Sequence, residues 1–394
     1  MKAYIMQSRR VINPFDSPSC DCLIGNKTLA VIQKETFSRL GIEPLFVATD
    51  QRVSDPCDYI LTDDNVYFSP ELFAEFIARS QKQKKNTICS LKQGITTQRT
   101  MSGIQNVANR DGYVEYNLRY LAEERFRKGD CIPIVIDPDQ FCEYFAVPKH
   151  ICDNEKYLIP LTNKFVIQID HWANLWAANI ITTLMTAAKL QRESKMRLFL
   201  LAVKARSLNR WRILSRVNTI GRNCDIHPTA YIEGSIIGDS VKIGAGAIIR
   251  ETIVGNGAFI GNSVTIEESV IGEKSTILHG HILYSALCSG VFSVASIIST
   301  SLIGKDTFVG GYVALADFRL DGRNVTVLKD GNKIDSGNRF LGCCLGNNVY
   351  LGSGCVVAPG RTIPNGLRIT LEKDRIITEC NPEEITKGFR TIKD

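Results

Sequence analysis

The 394-residue chain is long enough for two or three domains, each with its own core. Its hydrophobic (44%) and charged (22%) fractions exclude a disordered or fibrous chain, and no apolar run reaches the roughly 18 residues of a membrane-crossing helix. The net charge of +6 is local: nine Lys and Arg residues between Lys189 and Arg216 face one acid, Glu193, which argues against a nucleic-acid partner for the chain as a whole. Arg9 and Arg10 interrupt the apolar start before a signal-peptide core forms, so the expected location is cytoplasmic. The 13 cysteines show neither a Cys-x-x-Cys pair nor zinc-type spacing and are expected as reduced, space-filling thiols.

In chain order, residues 1–165 alternate short apolar strands with helices, which predicts a doubly wound α/β domain. Strands are expected at Ala3–Met6, Leu45–Ala48 (buried), Tyr59–Thr62 and Ile132–Ile136. A helix is expected from Thr28 to Leu40, stopping at Gly41, and another from Ser69 to Arg79 with Ser69 as N-cap and Pro70 at its first position. Residues 166–218 read as a helical connector. Trp172, Leu175, Trp176, Ile180 and Leu184 carry the apolar stripe of one helix, and a basic helix spans 197–216. For that basic helix, packing on its own domain or a neighbouring subunit is preferred to peripheral membrane contact, because charges interrupt its apolar stripe.

From 219 to 375 a repeat takes over. Ile220-Gly221, Ile237-Gly238, Val254-Gly255 and Ile271-Gly272 recur every 17 residues, and within each period aliphatic residues follow at steps of six, six and five. Three short strands per coil, each turning one aliphatic side chain inward, describe a triangular prism of about seven coils. The inward series begins Ile220, Ile226, Ile232 and runs on to Ile271, Ile277 and Leu283; it loosens at Cys288 and Val294 and returns from Ile303 to Ile363. Residues 316–344 interrupt it. There Asp321-Gly322 and Asp330-Gly331 flank the alternating Val325–Lys329, predicting a hairpin thrown out of the prism. Residues 376–394 are read as a tail.

An α/β domain, a helical connector and a hexapeptide β-helix in that order resemble the bifunctional sugar-1-phosphate nucleotidylyltransferase/N-acetyltransferase family that makes UDP-N-acetylglucosamine. The similarity is strongest at Ala316-Asp317-Phe318-Arg319-Leu320-Asp321-Gly322-Arg323-Asn324-Val325 and at Asp335-Ser336-Gly337-Asn338-Arg339-Phe340-Leu341-Gly342. The resemblance implies that the β-helix is left-handed, that the chain forms a homotrimer, and that the hairpin lies beside an acetyltransferase site shared between subunits. The family's catalytic histidine and tyrosine fall on Val294 and Ile297, and a valine cannot act as a general base. The family's glycine-rich phosphate loop is likewise absent, Met6-Gln7-Ser8-Arg9-Arg10 standing in its place. Leu61–Ser69 resembles the strand whose terminal aspartate binds Mg²⁺.

Two functions remain open. The first is a transferase of sugar-nucleotide or cell-envelope chemistry, an acyltransferase drawing on acetyl-CoA or another acyl-CoA and acting on a sugar or sugar nucleotide. His281 or Asp317 would be its base, and Arg9, Lys27, Arg319, Asp321, Gly322, Arg323 and Lys329 would bind substrate. Asp63 and Asp64 are the Mg²⁺ candidates. The second is a non-catalytic homologue that keeps the architecture for binding. A metal-dependent hydratase on the same prism is disfavoured, since His227, His279 and His281 do not have the needed spacing.

Overall fold

The structure is a computed structural model and describes residues 1–127, 129–139, 142–149, 151, 156–191, 203, 206 and 209–372. The N-terminal sheet has Lys2–Gln7 between Glu43–Ala48 and Tyr59–Asp63, all parallel. Tyr113–Leu121 then joins antiparallel to Tyr59–Asp63 and Thr87–Lys92, and Ile132–Ile136 closes the far edge in parallel. The sheet is therefore mixed. Tyr113–Leu121 alternates buried and partly exposed positions, the pattern of a strand with one face on the core. Glu43–Ala48 is an edge strand without a buried residue, against the expectation of a buried one. Helix α1 (Leu29–Arg39) is capped by Thr28, whose side chain accepts from Val31 N at 3.4 Å. Helix α2 (Pro70–Gln83) is capped by Ser69, accepting from Leu72 N at 3.2 Å with proline at the first turn. Helix α3 is the short Ile95–Arg99 segment.

From Thr219 the chain winds a left-handed β-helix whose three parallel sheets have eight, eight and seven strands. Inward residues such as Ile237, Ile260, Ile266 and Ile303 are almost wholly buried in one continuous core. Each is worth about 1.5–3 kcal/mol relative to exposure. The loosened register has a simple origin. Val270 pairs with Ala286 and Ala286 with Leu302, so these two coils are 16 residues long. Ile282 consequently points inward and is 1% exposed, whereas Leu283, expected inside, faces out. The lost residue is absorbed at Gly280, where φ is +103° and an added Cβ would lie 2.0 Å from the Ala295 carbonyl oxygen. Only glycine fits there.

Helix α4 (Trp172–Gln191) lies along the first face of the prism. Ala173, Ala177, Ile180 and Ile181 form one apolar cluster with outward-facing Val270, Ala286, Leu302 and Cys344. Trp176 Nε1 donates to the Tyr284 carbonyl at 2.8 Å, and Asn26 Nδ2 donates to the Ile271 carbonyl at 3.0 Å. Of the basic helix expected at 197–216, Arg210–Leu214 is helical; most of the remaining stretch falls outside the described residues, as does the tail from 376. No helix among the described residues is long and apolar enough to cross a membrane. The eleven described cysteines are all free.

Candidate functional site

Two regions concentrate charged groups. The first is the carboxyl edge of the α/β sheet. Asp64, 1% exposed, accepts from Ser8 Oγ at 2.5 Å and from Arg9 N at 3.1 Å. Asp63 accepts from Asn117 Nδ2 at 2.9 Å, and burial raises its pKa against the opposing effect of that bond. Buried Asp170 is ringed by Arg10 Nε (3.0 Å), Asn65 Nδ2 (3.0 Å), Asn106 N (2.7 Å) and Gln168 Nε2 (3.1 Å). The donors on these carboxylates are N–H and O–H groups of the chain itself. No group of three or more His, Cys, Asp or Glu among the described residues is arranged to hold a metal. Both Asp64 oxygens and one oxygen of Asp63 are thus engaged by groups of the chain.

The hairpin is present as Thr326–Lys329 paired antiparallel with Asn332–Asp335. It packs onto the same α/β edge. Val325, Val327 and Leu341 join the core cluster that holds Ile12 and Ile104. Lys329 Nζ donates to the Ile104 carbonyl and to Asn106 Oδ1 (2.8 Å), and burial lowers its pKa. Beside it, His171 Nδ1 accepts from Ala173 N at 3.2 Å while Nε2 lies 3.1 Å from the Leu328 carbonyl. That pattern fits a neutral imidazole protonated on Nε2. Burial pushes its pKa down to about 4, against the Leu328 bond.

The second region is the outward surface of the third face. Parallel stacking in register puts Glu233, Arg250, Glu267, Leu283 and Ser299 in one column, and Tyr231, Ile248, Thr265, His281 and Ile297 in the column beside it. His281 Nε2 lies 3.0 Å from Glu267 Oε2, and Arg250 Nη1 donates to the other oxygen of the same carboxylate at 2.9 Å. Arg250 also reaches Glu233 at 3.4 Å, which takes a hydrogen bond from the Tyr231 hydroxyl at 2.8 Å. Nearby Glu268 has its pKa raised to about 8, by burial first and then by Glu251 and Glu267. His279 precedes the strand His281–Leu283 and lies, exposed, in the turn at Gly280.

Asp317 lies one residue past the position opposite Ser299, and its Oδ2 accepts from Ser299 Oγ at 2.6 Å. The Leu283–Ser299 rung separates it from Glu267, so His281 and Asp317 share a face but not a hydrogen bond. Arg319 pairs with Asp321, and Arg323 N donates to Asp321 Oδ1 at 3.2 Å across the turn at Gly322. Lys27 Nζ pairs with Glu35 at 2.8 Å on the surface. Arg9 stays at the α/β edge, so the expected substrate-binding residues fall into separate groups.

Residues 210–290 match the family described as the GMPPB C-terminal domain. That match and the three stacked parallel sheets agree with the resemblance drawn from the sequence. No curated protein matches the chain in sequence. Among solved structures, the chain is similar to the acetyltransferase domain of PglB from Neisseria gonorrhoeae FA1090 in complex with acetyl coenzyme A, at 18% identity and a TM-score of 0.13. The similarity covers 37% of this chain and 50% of that one, so the chain spans about half that domain's length.

Glu267, Arg250, Glu233, Asp170 and Arg10 were not among the residues singled out from sequence. For the first three a signal existed: they occupy the same position in successive coils, with a cation between two acids. Asp170 and Arg10 meet only through the fold.

Proposed function

We propose that the chain is an acyl-CoA-dependent acyltransferase acting on a sugar or sugar nucleotide, with His281 as general base and Glu267 as its positioning partner. The observation that carries this reading is the 3.0 Å contact between His281 Nε2 and Glu267 Oε2 on the outward face of the prism. A carboxylate on one ring nitrogen fixes ring orientation and stabilises the imidazolium formed when the other nitrogen takes a proton. The base would remove the proton of a sugar hydroxyl or amine as that nucleophile attacks the acyl thioester carbon, with the thiol of CoA leaving. Arg319 and Arg323, on the turn beside Asp317, supply cationic groups for phosphates. In this reading the protein is cytoplasmic and a homotrimer.

Incubation with acetyl-CoA and longer acyl-CoAs against a panel of sugars and UDP-sugars, read by mass spectrometry of the product, tests this. Direct product detection matters because 13 cysteines would confound a thiol reagent. The expected result is a sugar gaining one acyl group. No product from any pair would sink the proposal.

A second reading, a homologue that binds a sugar nucleotide without converting it, draws on the α/β edge. There Arg10 occupies Asp170, and Lys329 reaches across from the hairpin to Asn106. Saturable sugar-nucleotide binding with no turnover would favour it.

A further inference from the structure

The outward column of the third face sets one cation, Arg250, between two acids, Glu233 and Glu267, in successive coils. Paired strands stand about 4.8 Å apart, so Arg250 is within side-chain reach of both acids. Its Nη1 donates to Glu267 Oε1 at 2.9 Å, and its Nε lies 3.4 Å from Glu233 Oε2. The guanidinium also lies over the Trp211 ring, 5.9 Å from the centroid. Glu233 is itself fixed: its side chain is 4% exposed, and it accepts from the Tyr231 hydroxyl at 2.8 Å. One side of the guanidinium is therefore anchored on a buried carboxylate, and the other is presented to Glu267.

Glu267 needs such an anchor. Its in-register partner in the next coil is Leu283, which offers no hydrogen bond, whereas His281 stands opposite Thr265. To meet His281 Nε2 at 3.0 Å, the Glu267 carboxylate leans diagonally across the sheet. A glutamate side chain loses rotamer freedom when it is held in one such position. Arg250 holds Oε1, and Oε2 is the oxygen turned to the imidazole.

We propose that Arg250 is a positioning residue for the His281–Glu267 pair. It pins Glu267 by one oxygen, so that the other takes the Nε2 proton of His281 and Nδ1 is left as the basic nitrogen. The assignment follows from hydrogen-bond chemistry: an ionised carboxylate only accepts, so the ring nitrogen facing it carries the proton. A guanidinium already shared between two carboxylates is engaged within the chain rather than held ready for a substrate phosphate. The effect on turnover rests on the acyl-transfer reading of the pair; the fixed tautomer does not.

The tautomer can be read directly from two-bond proton–nitrogen correlation spectra of the full chain, labelled with ¹⁵N at its five histidines and recorded at alkaline pH. His281→Gln assigns the resonance. The parent is expected to show His281 in the Nε2–H form alone. Arg250→Met would strand buried Glu233, so it is combined with Glu233→Gln. That double variant should lose the single-tautomer pattern, with the Nδ1–H form appearing beside the other. Where acyl transfer is measured, its kcat should fall about tenfold to a hundredfold while KM for the acceptor stays within about threefold. A parent in the Nδ1–H form or a mixture, or a folded double variant that keeps the parent's pattern, overturns the proposal. So does a rise in KM for a phosphorylated acceptor with kcat unchanged, which would make Arg250 a phosphate ligand. If near-ultraviolet circular dichroism shows that the double variant does not fold, Arg250→Lys decides. Its single ammonium lacks the fork that spans both carboxylates, and an unchanged tautomer counts against the role. A chain that shows the tautomer response but forms no acyl product keeps the positioning role and sinks the acyl-transfer reading; product without the response does the reverse.

Discussion

At the scale of single residues, the seam between hairpin and α/β edge depends on protonation. His171 is 7% exposed, and its two ring nitrogens are matched to a neutral tautomer by Ala173 and Leu328. Its folded pKa, pushed down to about 4, lies below the ordinary histidine value of 6.5. As pH falls through 6.5 the unfolded chain takes up a proton that the folded chain refuses, so stability drops until the folded pKa is reached. The contribution lost between pH 6.5 and 4 is on the order of 3 kcal/mol. His171→Gln removes this titration. Urea unfolding midpoints measured from pH 8 to pH 4 should therefore shift in the variant's favour on the acid side, and parallel profiles would contradict the assignment. None of this was legible in the sequence, where His171 merely precedes an apolar helix. Its partner carbonyl comes from Leu328, 157 positions away.

The element scale explains why the β-helix was easy to read and its middle was not. An inward position every six residues needs an aliphatic side chain, and Ile237, Ile243 and Ile249 supply one coil without a gap. Where the coil shortens to 16 residues, buried Ser293 takes an inward position, and hydrophobicity ceases to mark the register. Ile282 and Leu283 are adjacent and equally apolar, so only the turn at Gly280 decides which one enters the core. Gly280→Ala should therefore cost more than about 2 kcal/mol, because it combines a positive φ with a clash against the Ala295 carbonyl. Gly322→Ala shares the positive φ but meets nothing within 4 Å, and should cost about 1 kcal/mol. Equal losses for the two in chemical denaturation would show that the corner is not tight. The hairpin was visible from Asp330-Gly331 and the alternation before it, but its docking on the α/β edge, through Val327 and Lys329, is a long-range consequence of the fold.

At the scale of the whole molecule, the three faces of the prism have separate fates. The first is covered by α4 and the α/β domain. The third carries the His281–Glu267 pair. The second displays a ladder in which Phe292 and Phe308 stack at 5.8 Å and Phe308 and Tyr350 meet at a tilt at 6.2 Å, with Phe259, Phe292 and Tyr350 about two-fifths exposed. Exposed aromatic rows of this kind suit burial against another subunit. In the homotrimer reading, light scattering gives three times the chain mass, and Phe308→Arg reduces it to one; a monomeric parent chain would contradict that reading. The central claim, that acyl transfer runs through His281 oriented by Glu267, is tested most directly by comparing kcat/KM of the parent chain and His281→Ala on one acyl-CoA and acceptor pair. The account predicts a fall of about 10²- to 10⁴-fold, while a variant within about threefold of the parent would contradict a general-base role for His281.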